Sequence, residues 1–422
     1  MFFRQALIHL SNSSYQYRCL ASVAAPQILR APAAMATIPP PEILREPMRI
    51  PKKTLLGPGP SNPHPAIIEA MTQPILGYLH PEFLEIMDQA RAGLQYVFQT
   101  NNKMTLAVSG TGHSGMEAAL VNLLEPGETV AICEHGLWGQ RASEMGARMG
   151  LNVIKLPKPP GQGFETFEEI EEVLRQHKPA VLFVCHGDSS TGFLQPLQGL
   201  SDLCHQYNCL LLVDTVASLG GTPLFADEWD LDCVYSGSQK VLGCPPGLAP
   251  ITFSEAAMKK IANRKTKPLS FYLDMTLVGN YWGCFDEPRR YHHTGPINLV
   301  YGLRAAVTEV AKEGLENVVL RHQRNALKLH RGLEGLGLKL FVKNPKMRLP
   351  TLTTVEVPEG VDWKFVLDHL MNKHKIEIAG GLGPTAGKIW RIGLMGYNSK
   401  EENVDKVLAA LGEALELSGF TK

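Results

Sequence analysis

The chain reads as an α/β protein, with a large domain around a mostly parallel central sheet and a smaller α+β domain behind it. Three observations predict this. Between about Pro65 and Gly314, seven short apolar runs alternate with helical patterns, the arrangement that places parallel strands beneath packed helices. After Asn298 the pattern changes to a long helical stretch and then to short strands and helices. The 422 residues are enough for one large domain and one smaller one.

Taken in order, residues 1–41 stand apart. They carry Arg4, Arg18 and Arg30 and no acid before Glu42, and the spacing of Phe2, Phe3, Leu7, Ile8 and Leu10 predicts one apolar face of a short helix. An acid-poor amphipathic start with arginines and serines predicts a mitochondrial transit peptide and a flexible beginning. The C-terminal Gly-Phe-Thr-Lys is a poor match to a peroxisomal address. Residues 42–60 read as an extended, proline-rich arm, ending in Gly57-Pro58-Gly59-Pro60-Ser61-Asn62-Pro63, a loop that admits no helix.

The large domain is predicted over 61–314. Its strands are expected at Met104–Ser109, Thr129–Cys133, Asn152–Leu156, Ala180–Cys185, Cys209–Val213, Cys233–Ser236 and Ala249–Phe253. The clearest helices between them are Glu117–Leu124, Phe167–Gln176 and Leu200–Tyr207. The smaller domain, 315–422, continues the helix that runs to about Leu336 after a break at Glu313–Gly314. Strands follow at Leu352–Val357, Ile376–Ala379 and Ile389–Gly393, with helices at Val361–Asn372 and Glu401–Leu417.

Bulk properties exclude several classes. Forty-one basic residues balance forty-one acidic ones, so no electrostatic partner such as nucleic acid is indicated. No apolar run approaches the roughly 18 residues of a membrane span. The eight cysteines are scattered without a C-x-x-C pair, which fits small buried residues in a reducing compartment. His292-His293 lacks helical i, i+4 spacing, and no metal-site pattern is found.

The chemistry gathers at strand ends. Ser109-Gly-Thr-Gly-His-Ser-Gly115 follows a strand and opens a helix. It matches G-x-G-x-x-G, so it suits either a dinucleotide or a single phosphate held by the helix N-terminus. Trp138 follows the next strand and offers a plate for a flat ring. Ser189, Asp214 and Lys240 come after three further strands. In open parallel sheets, ligands collect outside the carboxyl ends of strands. A helix N-terminus, an aromatic plate, a hydroxyl, a carboxylate and an amine match the phosphate, ring face, ring oxygen, ring nitrogen and aldehyde of pyridoxal phosphate. The lysine amine binds the aldehyde covalently, and the carboxylate keeps the pyridine nitrogen protonated. A dinucleotide requires neither Lys240 nor Asp214. Arg391, in Lys388-Ile-Trp-Arg-Ile-Gly393, alternates with apolar neighbours and calls for an anion, such as a substrate carboxylate held by its planar fork. The glycine-rich Gly380-Gly-Leu-Gly383 just before it reads as a segment able to move toward a ligand.

From about Met48 onward the chain resembles the class V pyridoxal-phosphate aminotransferases of the alanine–glyoxylate, or serine–pyruvate, family. The resemblance rests on Leu56-Gly-Pro-Gly-Pro-Ser-Asn62, Tyr96-Val-Phe-Gln-Thr100, Trp138-Gly-Gln-Arg141, Ser189-Ser-Thr-Gly192 and Asp214-Thr-Val-Ala-Ser-Leu-Gly-Gly221. It continues in Tyr235-Ser-Gly-Ser-Gln-Lys240, Tyr291-His-His-Thr294 and Gly380-Gly-Leu-Gly-Pro384. It implies the fold-type I architecture of that family, a pyridoxal phosphate cofactor and a homodimer acting on small amino acids and oxo acids. It also implies roles. Lys240 is the cofactor lysine, Asp214 the pyridinium partner and Trp138 the stacking residue. Thr111, Gly112, His113, Ser189 and Gln239 cradle the cofactor, and Tyr291 and Thr294 reach the phosphate from the other subunit. Arg391 anchors the substrate carboxylate, with Gly57 beside the substrate. The implied activity moves the amino group of alanine or serine to glyoxylate in ping-pong fashion; similar insect sequences instead transaminate 3-hydroxykynurenine. Relatives often carry Ser where this chain has Thr111, which keeps the hydroxyl.

Overall fold

The computed structural model describes residues 38–420. The predicted transit segment therefore lies, up to residue 37, outside the described residues. Residues 38–51 belong to a unit of their own, containing one 3-10 turn at Glu42–Arg45, and every one of them is exposed. Lys52 onward forms the second unit. Residues 52–60, grouped with the arm on composition, are built into this unit: Thr54–Leu55 pairs in parallel with Ile376–Glu377.

The central sheet has seven strands: β1 (Met104–Ser109), β2 (Thr129–Glu134), β3 (Asn152–Pro157), β4 (Val181–Cys185), β5 (Leu210–Asp214), β6 (Cys233–Tyr235) and β7 (Leu248–Phe253). Their spatial order is β1-β7-β6-β5-β4-β2-β3. Only β7 runs against its neighbours, so the sheet is mostly parallel, as predicted. β4 is buried along its whole length and β5 along all but its first residue. This explains their unbroken apolar runs, since a parallel sheet is covered on both faces.

Helices α1 (Pro81–Phe98), α2 (Gly112–Leu123), α3 (Leu137–Arg148), α4 (Glu168–His177) and α5 (Leu200–Gln206) alternate with these strands. Long helices α6 (Ile297–Glu313) and α7 (Leu315–Gly335) follow. Gly314, at φ 85°, separates them where the sequence predicts a break. A three-stranded antiparallel sheet of β8 (Leu352–Glu356), β9 (Ala379–Gly380) and β10 (Ile389–Gly393) has the order β8-β10-β9. Helix α8 (Trp363–His369) passes into a π-helical turn at Leu370–His374, and α9 (Glu401–Leu417) closes the fold.

Apolar side chains collect in two clusters, one around the seven-stranded sheet and one joining α7, α9, β8 and β10. Two predicted elements differ in detail. Ile376–Ala379 is not one strand: its first two residues pair with Thr54–Leu55, and Ala379–Gly380 pairs with β10. The chain bends between two partners that local alternation does not reveal. The helix predicted at Val361–Asn372 starts only at Trp363, because the Asp362 carboxylate caps the N–H groups of Lys364 and Phe365. All seven described cysteines are free and buried. Among the described residues no helix is long and apolar enough to cross a membrane.

Candidate active site

The carboxyl edge of the sheet assembles the predicted residues. After β1 the chain turns through Gly110 and Thr111 into α2. The N–H groups of Thr111, Gly112 and His113 find no acceptor among the described residues, and no side chain caps the helix. These donors and the helix dipole make an anion site. Gly112 is needed there because a Cβ would sit 2.9 Å from Val216 Cγ2. That contact brings the α2 start against the loop after β5. Thr111 and His113 are exposed and Gly112 is buried.

After β2, Trp138 enters the first turn of α3 and is half-buried. Its indole Nε1–H donates to Ser189 Oγ at 2.9 Å, and the His113 ring meets it edge-on with centroids 5.6 Å apart. Ser189, in the loop after β4, is thus joined to Trp138, while its carbonyl accepts from Arg391 Nη1 at 3.1 Å.

Asp214 ends β5 and Lys240 follows β6. Asp214 Oδ1 accepts from the Val216 N–H at 2.8 Å, and Oδ2 accepts from Tyr235 Oη at 2.6 Å. Burial pushes its carboxyl up to about 6, against the opposing pull of those two hydrogen bonds. Lys240 is 8% exposed. Burial and then the nearby Arg391 charge bring its ammonium down to about 8, with Asp214 working the other way. The Lys240 ammonium donates to the Pro58 carbonyl. Gly59, at φ +110°, passes so close that a Cβ would lie 2.5 Å from Lys240 Nζ. Only glycine allows both the backbone angle and this approach.

Arg391 is buried on β10, opposite Thr354 and Ala379 in register. Its Nε donates to Gly380 O at 2.8 Å. No carboxylate among the described residues lies within 4.0 Å of it, so the guanidinium is held by carbonyls alone. Burial lowers its pKa, partly opposed by the charge of Asp188. The glycine segment before Arg391 is tethered rather than free: Gly381 N–H donates to Ile389 O at 2.9 Å, and Leu382 N–H to Thr385 Oγ1 at 3.1 Å. Gly57 lies beside Glu377, whose Oε1 would stand 3.1 Å from a Cβ at that position.

Tyr291 and Thr294 are not drawn into this set. Both are exposed and bond to each other at 3.2 Å. Their neighbour His293 does reach the β1 end, at 2.7 Å from Ser109 Oγ. The sequence reading missed Tyr235, Pro58 and Asp188, although the first two lie inside motifs already singled out and Asp188 immediately precedes Ser189. Asp188 is fully buried; its Oδ1 accepts from Ser190 N–H at 2.7 Å and Oδ2 has no partner. Gln239 Oε1 is likewise buried without a partner.

An anion-binding helix start, a buried amine of depressed pKa, a buried carboxylate and acceptors without donors together fit pyridoxal phosphate. Residues 70–407 match the family described as aminotransferase class-V, and the chain belongs to it. It is an aminotransferase with pyridoxal phosphate as cofactor, acting on small amino and oxo acids. It is 51% identical over 407 residues to alanine–glyoxylate aminotransferase of Felis catus, covering 95% of this chain and 98% of the relative. To the enzyme of the same name from Drosophila melanogaster it is 50% identical over 382 residues, 90% of this chain and 97% of the other. The crystal structure of alanine–glyoxylate aminotransferase from Nostoc sp. superposes with a TM-score of 0.86 at 49% identity, covering 90% of this chain and all of that one.

Proposed function

We propose that this aminotransferase moves the amino group of alanine, and also of serine, to glyoxylate. One spatial observation carries the reading: Arg391, from the C-terminal sheet, donates to the Ser189 carbonyl at the carboxyl edge of the central sheet, where Trp138, Asp214 and Lys240 also lie. The names of the relatives give the substrate pair.

Bound at this edge, pyridoxal phosphate supplies an aldehyde and a ring that accepts electrons. Thr111, Gly112 and His113 would hold its phosphate, Trp138 its ring face, Ser189 and Gln239 its polar rim, and Asp214 its pyridine nitrogen. The Lys240 amine binds the cofactor and, once free, moves a proton at the substrate Cα. Its depressed pKa leaves a useful fraction neutral near physiological pH. The Arg391 guanidinium, unpaired by any carboxylate among the described residues, would take the substrate carboxylate through charge-assisted hydrogen bonds.

Two further parts of the reading concern assembly and location. The protein works as a homodimer in which Tyr291 and Thr294 complete the partner's phosphate site; their exposure in the single chain and the exposed Ile43, Leu44 and Met48 of the arm support this. It is imported into mitochondria, on the strength of the acid-free, arginine-bearing start. A screen of amino donors against oxo acids on the purified protein tests the activity. Alanine with glyoxylate is expected to lead, and preference for 3-hydroxykynurenine would replace the reading.

A further inference from the structure

A second group of potential ligands lies in the C-terminal part of the chain and shares no residue with the Lys240 site. His369 ends α8, His374 ends the π-helical turn, and both face Glu413 on α9. His369 Nε2 is 3.2 Å from Glu413 Oε1, and His374 Nε2 is 3.0 Å from Glu413 Oε2. One ligand atom from each residue falls within 4.8 Å of the others. We propose that His369, His374 and Glu413 form a site for a divalent transition metal, with zinc the best match.

Three arguments support the assignment. Tetrahedral zinc with bonds of about 2.0–2.1 Å places its ligand atoms roughly 3.3 Å apart; each imidazole nitrogen stands near that separation from its own oxygen of the shared carboxylate, and small side-chain rotations would bring both to one. Two imidazoles and a carboxylate are a donor set suited to zinc, copper or nickel rather than to magnesium or calcium. The backbone also departs from the α-helix at this point. Five residues of α-helix advance about 140° past a full turn, so a pair at i, i+5 would diverge. The π turn, with its i→i+5 bond from Lys375 N–H to Leu370 O, lets both rings address one carboxylate, with centroids 5.6 Å apart. This is why a search for i, i+4 histidines passes the pair by.

Without metal, the Glu413 carboxylate accepts from His369, His374 and the Lys373 ammonium. Lys373 opposes a cation, but its side chain is 59% exposed and free to swing into water. The His369 and His374 side chains are 12% and 29% exposed, leaving room for water as a fourth ligand. A bound metal would tie α8 and the π turn to α9, and so stabilise the fold without entering the catalytic step.

Titration of the chelator-treated holoenzyme with zinc chloride, followed by calorimetry, tests the proposal. One equivalent per chain is expected. His374→Ala and Glu413→Gln should each weaken binding at least tenfold, and Lys373→Ala should tighten it. Cobalt substitution should give a visible spectrum without a thiolate charge-transfer band, which separates this site from the cysteines. Transaminase activity of the variants reports that they are folded. No saturable binding, a thiolate band, or affinity unchanged in both His374→Ala and Glu413→Gln would overturn the assignment.

Discussion

The Tyr235 hydroxyl donates a 2.6 Å hydrogen bond to Asp214 Oδ2, and both side chains are buried. Hydrogen bonding to the charged form lowers a carboxyl pKa, while burial raises it. Here burial dominates, and the carboxyl stands at about 6. Tyr235→Phe keeps the ring and its packing but removes the donor. The Asp214 pKa should then rise further, leaving less carboxylate to hold the ring nitrogen protonated. We expect a loss of about tenfold in kcat at neutral pH, as for one hydrogen bond to a charged group. The acid limb of the pH–rate profile should move to higher pH. An acid limb that stays in place would show that Tyr235 serves packing alone.

Lys240 gives a second pH dependence, in which the same cause, burial, shifts the group downward instead. Its ammonium is brought down to about 8, so the neutral amine predominates above that pH. Only the neutral amine attacks the cofactor aldehyde. Apoprotein mixed with pyridoxal phosphate should therefore gain visible absorbance at a rate that climbs with pH and levels off above about 8. Borohydride reduction and peptide mapping should place the label on Lys240. A label elsewhere, or none, would refute the assignment of this lysine.

Protein stability should fall in mild acid, and His322 shows why. Gly396 N–H donates to its Nε2 at 3.0 Å, so Nδ1 carries the proton and bonds Val318 O at 2.7 Å. A second proton would face an N–H donor inside the fold. Burial, the larger cause, and Arg321 lower its pKa to about 4. His330 is likewise at about 4 and His186 at about 3, mainly through burial. In the unfolded chain these rings take protons near pH 6.5. Between about 6.5 and 4 the unfolded state binds more protons, so stability is complete above this window and lost as pH falls through it. His322 alone contributes on the order of 3 kcal/mol to that loss. Asp214, Asp232 and Glu377, whose carboxyls burial raises, work the other way, but His113, His135 and His293 are also held low by burial and add to the loss. Urea unfolding across this range checks the sign; a flat stability would contradict it.

Much of the site was legible because its residues follow strands. Gly112, Trp138, Ser189, Asp214 and Lys240 each come after an apolar run, and a parallel sheet gathers such positions at one edge. Arg391 was legible from alternation, which turns it away from Trp390 and Ile392 in the core. What stayed hidden depends on distance along the chain. The Pro58 carbonyl meets Lys240 across 182 residues, and nothing local announces it. The insertion of antiparallel β7 between β1 and β6 is equally invisible, since strand patterns carry no neighbour list. The tethered glycine loop shows a related gap: Gly380-Gly-Leu-Gly383 has the composition of a mobile segment, but Thr385 and Ile389 hold it.

The N-terminal segment supports a cellular prediction. Residues 1–41 contain three arginines and no acid, with apolar residues at helical spacing near the start. Such a segment is drawn to a mitochondrial import route by charge and amphipathicity. A fluorescent protein carrying residues 1–41 should collect in mitochondria, and changing Arg4, Arg18 and Arg30 to Glu should leave it in the cytosol. A diffuse signal from the unaltered fusion would count against import.

Substrate choice should follow from charge at Arg391. The guanidinium spans Gly380 O and Ser189 O and meets no carboxylate among the described residues, so one substrate carboxylate would complete its partners. Arg391→Lys removes the planar fork. KM for alanine and for glyoxylate should rise by tens-fold, in keeping with about 2–3 kcal/mol for charge-assisted hydrogen bonds. A second, distal carboxylate fares differently. The site already holds Asp188 and Asp214, and Glu377 stands beside Gly57. Burying another negative charge without a partner costs several kcal/mol, on the order of that for breaking a buried ion pair. Glutamate with 2-oxoglutarate should therefore react far more slowly than alanine with glyoxylate. If glutamate is the faster donor, some basic group outside this account must meet its side chain, and the charge argument fails while the assignment of Lys240 stands.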